Sequence, residues 1–110
     1  MATGSEVALA CDAADALAAK NIRARVVSVP CVERFLARDR SERNAVLPIG
    51  VPRVTIEAGV TAGWLAFAGD DGAAIGIDRF GASAPASVLA EKFGFTVDHV
   101  VATVERVLAR

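Results

Sequence analysis

Three residues in this chain combine chemical capability with the right placement for a site. Glu57 closes the β-rich run "RVTIE", while Asp78 and Arg79 follow the apolar run "AAIGI". A carboxylate or an Asp-Arg pair just beyond a strand can move protons, hold an anion or tie two loops together. Of these, a structural pair or a contact with a neighbouring domain is the expectation, because ion pairs at strand ends are common. The stretch "GASAP" that follows, 81–85, resembles a helix N-terminus offering amides to an anion. Pro85 removes one of those donors, and the chain has neither a Gly-x-Gly-x-x-Gly nor a Walker pattern.

The remaining reactive residues do not converge. Gly69-Asp70-Asp71-Gly72 lacks the spaced acidic ligands of a calcium loop and reads as a tight turn. Cys11 and Cys31 are too far apart for a Cys-x-x-Cys motif, and one histidine, His99, cannot complete a zinc site with them. Both cysteines read as packing thiols. His99 falls on the polar side of its helix, and Trp64 with Phe67 reads as core or as an interdomain contact. No acid, base and nucleophile set assembles.

Length and charge narrow the class. With 110 residues the chain is read as one domain, 1–110. A formal net charge of -1 gives no footprint for nucleic acid or for an anionic membrane surface. The apolar runs are too short to span a bilayer, and no secretory signal pattern opens the sequence. A cytoplasmic protein with reduced thiols is the expectation.

The elements that must position these residues alternate helix and strand. Val7, Ala10, Ala14, Leu17 and Ala18 form one helical stripe, with Thr3 or Ser5 as N-cap and Asn21 as the stop. Ile22 to Val29 is expected to be a strand near a sheet edge, since it carries Arg23 and Arg25, and Pro30 ends it. Val32, Phe35 and Leu36 predict a short helix, and Ser41 to Leu47 another that Pro48 closes. Arg53 to Glu57 and Ala73 to Ile77 predict strands, with a short helix over Thr61 to Phe67 between them. A further helix starts at Pro85 behind a Ser83 cap and ends near Gly94. Thr96 caps the last helix, whose stripe is Val97, Val100, Val101, Val104 and Leu108. Such alternation predicts an α/β fold with a mostly parallel sheet covered on both faces.

Six segments in order resemble the C-terminal domain of transketolase: "ATGSEV", "RVVSVPCVERF", "VLPIGVPRVTIEAG", "GWLAFAGDDG", "IGIDRFGASAP" and "EKFGFTVDHVV". The resemblance covers essentially the whole chain. It implies a three-layer α/β/α domain of an enzyme that uses thiamine diphosphate and Mg2+ or Ca2+. That enzyme moves a two-carbon ketol unit between sugar phosphates in the pentose phosphate pathway. It also implies that the cofactor and metal are held by other domains, that active sites form between the two subunits of a homodimer, and that this domain binds neither group. The partners implied are the other transketolase domains and the second subunit. Small-anion regulation or protein docking by the same fold is the alternative.

The resemblance further implies an apolar central strand, and an edge strand before it, upstream of "ATGSEV". Both are expected to be absent, with Met1 at the end of the central strand. A central strand buries about four or five side chains at roughly 1.5–3 kcal/mol each. That is comparable with a domain stability of about 5–15 kcal/mol. A chain that is marginal, or that self-associates through open sheet edges, is therefore expected.

Overall fold

A computed structural model describes residues 1–78 and 86–110 of the chain. The first helix, α1 (Glu6–Ala18), buries Ala10, Ala13 and Leu17, three and four residues apart on one face. Asn21 stops it in the left-handed region at φ 62°, as its place in the sequence predicts. The predicted cap is not made. Ser5 has αR backbone and no side-chain cap bond, and its hydroxyl donates to Glu6 instead. Ala18 is exposed, and Ala13 takes its expected place in the core.

Two short helices follow, α2 (Val32–Leu36) and α3 (Arg40–Val46). The second is capped by Asp39, which accepts the Glu42 amide at 2.9 Å. Strand β1 (Val54–Ile56) and strand β2 (Ala73–Ile75) pair in parallel, with α4 (Ala62–Ala68) as the crossover. The chain then forms α5 (Ala86–Lys92) and α6 (Val97–Leu108). Thr96 accepts the His99 amide at the start of α6, the cap expected there.

Residues 1 and 2 complete the sheet. Ala2 bridges Ser28 on one side and Ile56 on the other, both in parallel. The order is therefore the 27–29 segment, residues 1–2, β1, β2. The 27–29 segment lies at an edge, as Arg23 and Arg25 predict. Among the described residues it forms a single bridge, at Ser28, rather than the longer strand its composition predicts.

Alternation along these segments sorts the side chains into two layers. Ala2, Val26, Ile56 and Ile75 face α1 and α6, where Val100 and Val101 complete the packing. Met1, Val27, Val29 and Ala74 face Trp64, Phe67, Phe35 and Leu47. The Trp64 and Phe67 rings sit 5.5 Å apart and tilted, within the range of favourable aromatic pairs. This is the expected α/β/α arrangement. Along α6, Thr103 is buried and donates to the His99 carbonyl at 2.8 Å, whereas Leu108 is half exposed rather than part of the stripe.

Candidate functional site

At the carboxyl end of the sheet, β1 exits into residues 57–61 and β2 into residues 76–78. The two exits are laced together. The Glu57 amide donates to Ile75 at 3.0 Å and the Ile77 amide to Gly59 at 2.7 Å. Asp78 accepts the Thr61 amide at 2.8 Å and the Thr61 hydroxyl at 2.9 Å. Gly76 permits this closeness, because a Cβ there would stand 2.6 Å from the Gly59 carbonyl oxygen and 2.7 Å from Thr61 Cγ2. The Thr61 amide, followed by its hydroxyl, holds the Asp78 carboxyl below its ordinary pKa.

Glu57 is placed differently. Its Oε2 is buried without a hydrogen-bond partner. Burial, and then the nearby Glu6 carboxylate, push its pKa up, against a lowering bond from the Ala58 amide. It borders an open crevice of about 480 Å3 lined by Thr3, Cys31, Glu33, Glu57, Gly59 and Trp64. Cys31 Sγ donates to Glu33 Oε2 at 3.5 Å. The charged side chains of this lining are carboxylates, which suits a donor group or a packing neighbour and repels a diphosphate.

Glu57 and Asp78 thus share the sheet end predicted for them but do not act together: Asp78 is turned onto Thr61, outside the crevice lining. Arg79 and the 81–85 stretch with Ser83 and Pro85 lie outside the described residues. His99 is exposed with its ring against Gly94. Cys11 is exposed, correcting its reading as a packing thiol, while Cys31 is half-buried. Alanine richness explains the difference, since the small Ala10 and Ala13 let α1 sit close without the thiol turning inward. No group of three or more His, Cys, Asp or Glu among the described residues is placed to hold a metal ion.

Two arginines carry contacts that the sequence did not predict. Arg53 donates to the carbonyls of Phe67 at 3.1 Å, Leu47 at 3.1 Å and Pro48 at 2.9 Å. Arg25 donates to the Val46 carbonyl. Together they fix the end of α3 across the sheet. The single available signal was an arginine at the entry of a predicted strand, which is too common to stand out.

Fold and site together define a three-layer α/β packing domain whose polar groups mostly stitch loops. The chain belongs to the transketolase-like C-terminal domain family, whose model matches residues 1–96. It is 54% identical over 102 residues to the plasmid-encoded transketolase of Cupriavidus necator, covering 93% of this chain and 15% of that protein. Transketolase from Leishmania mexicana is similar in structure, with a TM-score of 0.89 at 52% identity over 96% of this chain and 15% of the other. A split-gene transketolase described as an inactive β4 tetramer matches with a TM-score of 0.73 at 25% identity, over 98% of this chain and 38% of its own. The chain thus spans about 15% of the length of the first two relatives. Among the described residues, no helix is long and apolar enough to cross a membrane.

Proposed function

We propose that residues 1–110 form the C-terminal structural and interface domain of a transketolase and are inactive alone. The observation that carries this reading is a family match over most of the chain, joined to an Asp78 carboxylate that is taken up by Thr61. The parent enzyme transfers a two-carbon ketol unit from a ketose phosphate to an aldose phosphate in the pentose phosphate pathway, in the cytoplasm. Thiamine diphosphate and Mg2+ serve that reaction in the parent's other domains. The carboxylates of the carboxyl-end crevice, Glu33 and Glu57, repel a diphosphate, which supports placing the cofactor in those other domains. Its partners are those domains and the second subunit of a dimer, and Glu57, Asp78 and the unplaced Arg79 belong to the end that meets a neighbour.

A ketol-transfer assay on this polypeptide with thiamine diphosphate and Mg2+ tests the proposal. No turnover and no saturable cofactor binding are expected. Turnover by the chain alone would overturn it. The split-gene relative, whose matching chain is described as inactive, supports the same expectation.

A further inference from the structure

An open cleft of about 610 Å3 lies between the 49–52 loop, the 69–71 turn and the end of α6. It borders neither residues 1–2 nor the 22–29 segment. Ile49, Val51 and Leu108 line it while 76%, 55% and 51% exposed, and Ile49 is the most exposed large apolar side chain among the described residues. Single exposed aliphatics are ordinary, but three bordering one concavity make a contiguous patch of the kind that marks an interaction surface. The loop that carries two of them is held from behind, because Arg53 donates to the Leu47 and Pro48 carbonyls just before it. Ile49 therefore stands out from a fixed support.

Charges of both signs share this lining. Asp70 and Asp71 are exposed, and no described residue bonds or pairs with either. Arg110 lies beside them: its Nη1 donates to the carbonyl of Gly72, the residue after the acid pair, at 2.9 Å. That bond leaves other donors of the guanidinium fork to offer. Adjacent opposite charges are self-complementary. About a twofold axis between them, the guanidinium of one copy faces the acid pair of the other, and the reverse contact forms at the same time. A partner of one sign would set like charge against either Arg110 or the aspartates. The lining thus selects a partner with the same mixed pattern, and a second copy of this chain has it.

We infer that this cleft is a twofold contact through which two copies of the chain pair, with Ile49, Val51 and Leu108 at its apolar centre and Arg110 of each copy against Asp70 and Asp71 of the other. Exposed ion pairs contribute little energy, so the apolar residues supply the affinity and the charges set the register. A twofold contact closes on itself, so pairing stops at two chains, whereas association through strand edges can continue. The contact is separate from the carboxyl end of the sheet and goes beyond the interface role proposed above.

Sedimentation equilibrium over a range of chain concentrations, up to millimolar, tests the pairing. The mass should rise from one chain to two and stop there. Ile49→Asp, at a position too exposed to disturb folding, should weaken pairing about tenfold or more by setting a charge in the apolar centre. Arg110→Glu alone, and Asp70→Lys together with Asp71→Lys, should each weaken it too, since like charges then face across the axis. Mixing those two charge variants in equal amounts should restore a dimer with one chain of each, because both contacts are then made with the signs exchanged. A chain that stays monomeric, pairing that none of these variants weakens, or charge variants that fail to pair on mixing overturns the inference. Growth in mass past two chains that Ile49→Asp leaves intact assigns association to the sheet edges and overturns it as well.

Discussion

The two ends of the sheet treat their polar groups in opposite ways. At the carboxyl end, Asp78 closes on Thr61 and Gly76 lets the exits pack, so the backbone is largely satisfied within the chain. Among the described residues there, a Glu57 oxygen is buried without a partner. At the amino end, Arg25 and Arg53 reach across to the carbonyls of Val46, Leu47 and Pro48. One end is tied by short side chains between neighbouring loops, the other by long guanidinium side chains that reach across the sheet.

The largest expected effect is in the core at this end. Leu17 is 2% exposed, and Leu17→Ala should cost about 2–5 kcal/mol in chemical denaturation. A loss below about 0.5 kcal/mol, typical of surface changes, would show that the amino end is not part of the core. Next comes the clamp. Arg53→Ala leaves partly buried carbonyls at Phe67, Leu47 and Pro48 without their donor and should cost roughly 2–3 kcal/mol. Arg53→Lys should rescue little, because one ammonium cannot reproduce the fork that reaches both sides.

Acidity separates the ends further. Burial pushes the Met1 ammonium down to about 6 from an ordinary 8.0. Between those values the unfolded chain binds more protons, so stability should rise with pH across the window, by at most about 2–3 kcal/mol. Acetylating the amino terminus should flatten that slope in thermal melts; an unchanged slope would place its origin elsewhere. At the carboxyl end the raised Glu57 pKa works the other way. The folded chain holds the proton more tightly, so stability falls as pH climbs from 4.5 through the raised value. Glu57→Gln should therefore stabilise the chain slightly at pH 7 and leave it unchanged below pH 4, read in paired melts. The smallest effect is expected from the exposed Asp78→Asn. Its lowered pKa means a contribution present above 3.8 and lost as pH falls through the native value, and the melts of variant and parent should converge in acid.

Much of the framework was legible in the sequence because its signals are local. The Val stripe and Thr96 cap of α6, the stop at Asn21, and the helices closed by Pro48 follow from side-chain period and backbone freedom within a few residues. Where the reading departed, a competing local bond or a distant partner decided. Ser5 turned to Glu6, Asp39 capped α3 unannounced, and Leu108 stayed half exposed at the last position of its helix. The 22–29 run has strand composition but only one bridge, since pairing depends on a neighbour remote in sequence.

The site was legible only in outline. Placing Glu57 and Asp78 at strand ends required nothing beyond the order of strands. That Asp78 would bond Thr61, seventeen positions earlier, and that Glu57 would keep an oxygen buried and unpartnered, depended on how closely two exits approach. The sequence by itself determined the helices, the α/β class and the family, because periodicity, caps and ordered motifs are written along one dimension. Tertiary structure alone decided which polar groups meet. That outcome rests on separations of a few ångströms between residues far apart in the chain, which no local pattern encodes.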